Sequence, residues 1–259
     1  MCDFLKKIFK KHNPEIILHA AAYKHVHLSE YSLDSTIINN IIGTKNVVDY
    51  SIKYKAEKFI LISTDKAVNP TNIMGATKSV CELYCQNVKS FKTDIISVRF
   101  GNVLGSSGSV IPKFQEQINN DKDITVTHKD ITRFFMLVNE ACNLVYQAAS
   151  VGNHGEILIL DMGKPVKITD LASKMIDLSG KNYLKVKYTG LRKGEKLYEE
   201  LLFSSHDKKT KYDSITIAKK RIIDFDILEN NIKNLINEDS NKLEILKKII
   251  PDFKHLRDN

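Results

Sequence analysis

Four short apolar runs that alternate with helical patterns constrain the fold of this chain more than any other feature. Glu15 to Ala22 (EIILHAAA), Lys58 to Ser63 (KFILIS), Asp94 to Phe100 (DIISVRF) and Glu156 to Asp161 (EILILD) are near-continuously apolar. Strands buried on both faces of a parallel sheet read this way, whereas a sheet with one wet face alternates. Helical spacing separates them: Phe4, Leu5, Ile8 and Phe9 within residues 3–12, and Ile37, Ile38, Ile41, Ile42, Val47 and Val48 within Ser35 to Tyr54. Ala76 to Phe91 and Thr169 to Ser179 follow the same period, and Asn13-Pro14 stops the first helix. The alternation predicts an α/β chain with a doubly wound parallel sheet. Beyond about Ser204 the pattern loses its strands, and helices near Ile227 to Ile236 and Leu243 to Ile250, stopped by Pro251, predict a terminal appendage.

A doubly wound dinucleotide fold ordinarily opens with a strand, a glycine-rich turn and a helix that holds the pyrophosphate. Here the first glycine is Gly43, inside a helical pattern. The expectation is therefore an incomplete Rossmann-like sheet without its phosphate-binding turn, with an exposed strand edge where further strands would pair. Its expected divisions are a partial cofactor domain over 1–160, a small substrate-binding region over 161–203 and a helical extension over 204–259.

The net charge of +8 over 259 residues admits an anionic partner. The lysines, however, are scattered as pairs such as Lys6-Lys7 and Lys247-Lys248, without aromatic interleaving. That favours solvated helix faces and argues against a nucleic-acid binder or a membrane-surface binder. Cys2, Cys81, Cys85 and Cys142 form no Cys-x-x-Cys pair, which predicts reduced thiols. No run reaches the length of a membrane span and Met1 opens no signal-peptide pattern, so a soluble cytoplasmic protein is expected.

The chemistry concentrates in residues 60–78, ILISTDKAVNPTNIMGATK. The strand Ile60-Leu61-Ile62 delivers a hydroxyl, a carboxylate and an amine in succession, Thr64, Asp65 and Lys66. Alone, such a triplet is as well explained by a turn after a strand. His19, His25 and His27 lack acidic partners at ligand spacing, so a loop or pocket role is favoured and no metal is expected. GSSGS at 105–109 lacks the Lys-Ser/Thr of a phosphate loop and is expected to be a flexible loop over a substrate.

Several longer segments change the weighting: HAAAYKHV (19–26), NNIIGTKNV (39–47), STDKAVNPTNIMGATK (63–78), VRFGNVLGSSGSVIPKF (98–114), DITRFFM (130–136) and TGLRKGEKLYEEL (189–201). With these the chain resembles the nucleotide-sugar 4,6-dehydratases of polysaccharide biosynthesis, an extended branch of the short-chain dehydrogenase/reductases. It is most similar to the bacterial enzymes acting on UDP-N-acetylglucosamine. The resemblance implies NAD as cofactor and a UDP-sugar as substrate. His19, Ala20, Ala21, Ala22, Lys78, Arg99 and Phe100 would lie along the cofactor. Asn102, Arg133, Arg192 and Glu195 would hold the substrate, an Arg fork suiting phosphate and a carboxylate suiting ribose hydroxyls. Thr64 would bind O4, Asp65 would serve as acid toward the C6 hydroxyl and Lys66 as base at C5, with the last two roles exchangeable or Lys66 acting as an electrostatic clamp. A basic Lys66 needs a lowered pKa, from burial or from Lys78. Met74 stands where the Tyr of the family's Tyr-x-x-x-Lys pair is usual, so C4 oxidation would use another group. The alternatives are a non-catalytic remnant or interaction module unable to bind NAD, and a 4-epimerase, disfavoured by the missing tyrosine; the expected partners beside the UDP-sugar are a second copy of the chain, as a homo-oligomer, or a separately encoded amino-terminal part.

Overall fold

A computed structural model describes residues 2–106, 108–201, 208–237 and 241–256; Ser107 of the GSSGS segment, residues 202–203 of the expected substrate-binding region and residues 204–207, 238–240 and 257–259 of the expected extension lie outside them. Four strands form the parallel part of the main sheet: β1 Ile16–His19, β2 Lys58–Ile62, β3 Asp94–Arg99 and β4 Ile157–Leu160. They stand side by side in that order, with His19 opposite Leu61, Ile62 opposite Val98 and Arg99 opposite Ile159. β5 Lys208–Lys209 and β6 Ile215–Ile217 extend the sheet past β4, with β6 antiparallel to it. The stretch beyond Ser204 thus contains strands that its sequence pattern did not predict. β6 is three residues long, too short for a period to show, and β4 supplies its register.

The longer helices are α1 Cys2–His12, α2 Gly43–Lys53, α3 Ile73–Asn87, α4 Val110–Asn119, α5 Val138–Val151, α6 Ile168–Ser179, α7 Phe225–Asn234 and α8 Lys242–Ile249. None of the helices among the described residues is long and apolar enough to cross a membrane. The period of two along the strands separates the cores. Phe59, Leu61 and Ile95 face α2, α3, α7 and α8, whereas Ile60, Ile96 and Val98 face α5 through Ala141, Leu144, Val145 and Ala148. This is the doubly wound α/β arrangement. The helical carboxy-terminal region is present, but it is no appendage: Leu228, Ile232, Leu246 and Ile249 are buried in the first core against α3. α3 in turn buries every residue from Ile73 to Gln86.

A third core joins Phe114, Ile118, Ile124 and Val126 to Ile168, Ala172, Ile176 and Leu184. The small second region therefore draws on residues before 160 as well as on 161–203, and it is not one contiguous segment. β1 also differs from the buried strand expected: Ile16 and Leu18 are 61% and 50% exposed. Among the described residues β1 pairs only with β2, and only its Ile17 face packs on the first core.

Two local features place the site. Residues 33–53 are helical throughout but pass through a π-helical stretch, Ile37–Ile42. From it Asn40 accepts from the Tyr23 backbone N–H (2.7 Å) and donates to the Tyr23 carbonyl (3.2 Å) and Thr77 Oγ1 (3.0 Å), tying the loop after β1 to α3. α3 starts three residues earlier than its apolar period predicts, because Asn72 caps it by accepting from the Gly75 N–H at 2.7 Å.

Candidate active site

The carboxyl ends of β1, β2 and β3 open on one cavity of about 470 Å³. Crevices at this edge are where parallel α/β sheets bind ligands. β2 leads into Ser63 and Thr64, and Thr64 caps a single 3-10 turn, Asp65–Ala67, by accepting from the Lys66 N–H at 3.4 Å. The Asp65 N–H donates to the Phe100 carbonyl at 3.1 Å, which locks this turn to the end of β3. Gly75 packs beneath it so closely that a Cβ would stand 2.2 Å from the Lys66 carbonyl oxygen.

Within the turn, Thr64 Oγ1 donates to Asp65 Oδ1 (2.9 Å), and Lys66 Nζ donates to the same oxygen (2.9 Å) and to Asn102 Oδ1 (3.2 Å). Thr64, Lys66 and Asn102 line the cavity. Asp65 is fully buried behind them, and its Oδ2 has no hydrogen-bond partner. That oxygen lies beside Gly101, which lines the cavity; a Cβ on Gly101 would stand 3.2 Å from it. Lys78 also lines the cavity, one turn of α3 beyond Met74, with Nζ donating to the Ile62 carbonyl at 2.7 Å.

A charged network runs from this cluster. Lys66 Nζ is 3.6 Å from Glu199 Oε1, Arg133 Nε is 3.8 Å from the same oxygen, and Arg133 Nη2 is 3.4 Å from Glu195 Oε1. Glu195 Oε2 accepts from the Arg192 N–H at 3.0 Å. Burial alone would depress the Lys66 ammonium, but Asp65 and Glu199 outweigh it and raise its pKa. The lowered pKa that a basic Lys66 requires is therefore not found; two carboxylates hold it charged. Burial raises Glu199, against the opposing charge of Lys66. Toward Arg192 the cavity becomes cationic: burial lowers Lys113 and His27, and Arg192 lowers both further.

Of the residues expected from the sequence, Ala20, Ala22, Thr64, Lys66, Lys78, Phe100, Asn102, Arg133, Arg192 and Glu195 come together around the cavity. Four others do not line it with their side chains: Asp65, buried behind the wall as described, and three more. His19 turns inward, shares a 3.0 Å hydrogen bond with Thr44 and packs on Phe59; burial, then Lys78, lowers its pKa to about 4. Arg99 is buried, its Nε and Nη2 donating to Glu82 at 3.0 and 2.7 Å and Nη1 to the Leu201 carbonyl at 3.1 Å. Ala21 is exposed outside the cavity. The inward turn of His19 and Arg99 follows from strand alternation, since both are the last residues of their strands. His25 does line the cavity, as its pocket role predicts, and among the described residues no three His, Cys, Asp or Glu side chains form a metal-binding group. Sequence reading passed over Lys113 and Glu199; the only signal for Glu199 was its place four residues after Glu195 in the RKGEKLYEE run.

A doubly wound sheet whose central strand delivers Thr-Asp-Lys to a cleft, with a lysine on the next helix, defines a protein of the extended short-chain dehydrogenase/reductase class. The chain belongs to the polysaccharide biosynthesis protein family, whose model matches residues 2–245. It is 52% identical over 200 residues to the capsular polysaccharide biosynthesis protein CapD of Staphylococcus aureus, covering 76% of this chain and 33% of that one. It is 50% identical over 203 residues to the probable polysaccharide biosynthesis protein EpsC of Bacillus subtilis, covering 77% and 34%. The chain thus spans about a third of the length of these two relatives. A relative named UDP-glucose 4-epimerase, from Rickettsia canadensis, is 37% identical over 197 residues, covering 74% of this chain and 57% of its own. Among solved structures, Pen from Bacillus thuringiensis superposes with a TM-score of 0.76 at 35% identity, covering 88% of this chain and 78% of its own. DesIV of Streptomyces venezuelae, a dTDP-glucose 4,6-dehydratase solved with NAD and TYD bound, shares the fold at 19% identity and a TM-score of 0.71, covering 78% and 68%.

Proposed function

We propose that this chain carries the substrate side and the nicotinamide side of an NAD-dependent nucleotide-sugar 4,6-dehydratase, with UDP-N-acetylglucosamine as its substrate, in polysaccharide biosynthesis. The observation that carries the reading is the pairing of a charged, cavity-lining Lys66 with Asp65, one of whose oxygens is unpartnered beside Gly101. Elimination needs an acid and a base placed together, whereas redox chemistry at C4 alone needs neither at C5 and C6.

The wall formed by Ala20, Ala22 and Lys78 fits the nicotinamide-ribose end of the cofactor. The two alanines leave room for a ring to approach the backbone, and Lys78 spends one ammonium proton on Ile62, leaving two for ribose hydroxyls. NAD, when bound, supplies the hydride acceptor for C4 and returns that hydride to C6. The 4-ketone makes the C5 proton acidic, and the chain's own groups then act. Asp65 Oδ2 takes the C5 proton, the C5–H electrons form the C5–C6 double bond, and the C6–O bond breaks as Lys66 gives its proton to the leaving oxygen. Water departs. Asp65 gives a proton back to C5 when C6 is reduced. Thr64 hydrogen-bonds O4, the O4 proton leaves to solvent during the oxidation, and solvent reprotonates Lys66 after it has given its own proton to the departing hydroxyl. The roles first assigned to Asp65 and Lys66 are thereby exchanged, because an ammonium held by two carboxylates is an acid and not a base. The cationic end near Arg192 and Lys113 suits a diphosphate, and Glu195 suits the ribose.

The epimerase relative favours one second reading, redox at C4 with return of hydride to C4. Met74 bears equally on both, since each begins with oxidation at C4 and a thioether transfers no proton; the Asp65–Lys66 pair is what favours elimination. Mass spectrometry of the product after incubation with NAD and UDP-N-acetylglucosamine separates the two: loss of one water supports the dehydratase, and an isomer of unchanged mass supports the epimerase.

A further inference from the structure

Two carboxylates, not one, contact Lys66. Asp65 follows from the sequence triplet, and Glu199 arrives from 133 residues away; neither lines the cavity, but Asp65 Oδ2 lies beside the cavity-lining Gly101, whereas Glu199 Oε1 faces Lys66 and Arg133. Its side chain is buried, and while Oε1 faces Lys66 and Arg133, Oε2 has no hydrogen-bond partner. A buried carboxylate with an unmade bond costs stability unless another role retains it.

We propose that Glu199 is the positioning residue of Lys66: with Asp65 it keeps the amine charged and fixes Nζ at the cavity wall, so that Lys66 donates a proton and does not accept one. The inference rests on the dehydratase reading for the use of that proton, but the charge state of Lys66 is independent of it. The charged groups around Lys66 are Asp65, Glu199 and Arg133, and Lys196 adds to the field at Glu199. Arg133 opposes the ammonium, so Asp65 alone would have to offset both Arg133 and burial if Glu199 were neutralised. Glu199 thus adds to the hold that Asp65 has on the ammonium, second to it in strength.

The experiment is a titration of Lys66 by NMR of the lysine 15Nζ signals in the full chain, with Lys66→Arg identifying the resonance, compared between wild type and Glu199→Gln. Removing an opposite charge at this range lowers an ammonium pKa by roughly one to three units. Glu199→Asp, which keeps the charge and moves it back, is expected to fall between the two and guards against a Gln variant that folds poorly. In turnover, the alkaline limb of the kcat profile should move down with the Lys66 titration in Glu199→Gln while KM for the nucleotide sugar stays put. A Lys66 titration unchanged in both variants overturns the proposal. So does a fall in kcat that is the same at every pH, since lost packing alone produces that. A chain that shifts its Lys66 titration without any dehydratase turnover upholds the positioning role and defeats only the reaction assigned to it.

Discussion

Arg99 offers the sharpest test of how this fold is held, because sequence resemblance assigned it to the cofactor and the structure buries it in an ion pair. Both Arg99 and Glu82 side chains are wholly buried, joined by bonds of 3.0 and 2.7 Å in the two-pronged geometry of a guanidinium on a carboxylate. Arg99→Met removes the charge, keeps most of the volume and leaves Glu82 beside the Arg221 Nη2 at 3.8 Å. Breaking one side of a buried pair costs about 3–5 kcal/mol. At roughly 2–4 °C per kcal/mol for a chain of this size, the melting temperature should fall by about 6–20 °C. The double variant Arg99→Met with Glu82→Leu removes both charges and should recover much of that loss. The pH dependence carries a sign. Burial works against ionised Glu82, but Arg99 prevails and holds its folded pKa below the ordinary value. Its contribution is therefore full above the ordinary carboxylate range and lost as pH falls through the depressed folded value. In Arg99→Met the buried carboxylate gains a proton more readily in the folded state, so the penalty should shrink on acidification. Calorimetry at pH 7 and pH 4 reads all of this. A melting temperature within a degree or two of wild type, or a double variant no better than the single, refutes the assignment.

Three further outcomes follow from the geometry. Gly101→Ala sets a Cβ 3.0 Å from Phe134 Cβ and 3.2 Å from Asp65 Oδ2, so turnover should fall far more than binding of UDP by calorimetric titration. Gly75→Ala brings a Cβ to 2.2 Å from the Lys66 carbonyl and must displace the Thr64–Ala67 turn; lower stability together with lost activity is expected, and an unaltered enzyme would contradict the packing described. His19 has a folded pKa of about 4 against an ordinary value near 6.5, so the unfolded chain binds its proton first and stability declines as pH drops between those values. The slope is up to about 1.4 kcal/mol per pH unit, and His19→Gln should flatten it in urea titrations from pH 7 to 4.

The four parallel strands and α1, α2, α3 and α6 were legible because long apolar runs and 3.6-residue spacing record burial directly. α4 and α5 went unread: α4 carries Pro112 in its first turn, and α5 opens without a polar cap, at Leu137. β6 is shorter than any period. Residues that line the cavity were legible where they follow closely on long apolar strands, such as Thr64 after Ile62 and Asn102 after Arg99. His19 and Arg99 were misplaced because a strand's last residue points inward or outward by alternation, which short motifs do not record. Glu199 and Arg133 meet Lys66 only through the packing of the second region on the sheet, a contact with no local signature.

The most direct test of the elimination chemistry is the product formed from UDP-N-acetylglucosamine and NAD in D2O. Asp65 shares a 2.9 Å hydrogen bond with Lys66, whose protons exchange with solvent, so the proton that Asp65 takes from C5 exchanges for deuterium through Lys66 before C5 is reprotonated. A 4-keto-6-deoxy product with one deuterium at C5, abolished in Asp65→Asn, is the result this account predicts. A 4-epimer with no deuterium in the sugar, or a dehydrated product whose formation survives Asp65→Asn, contradicts it.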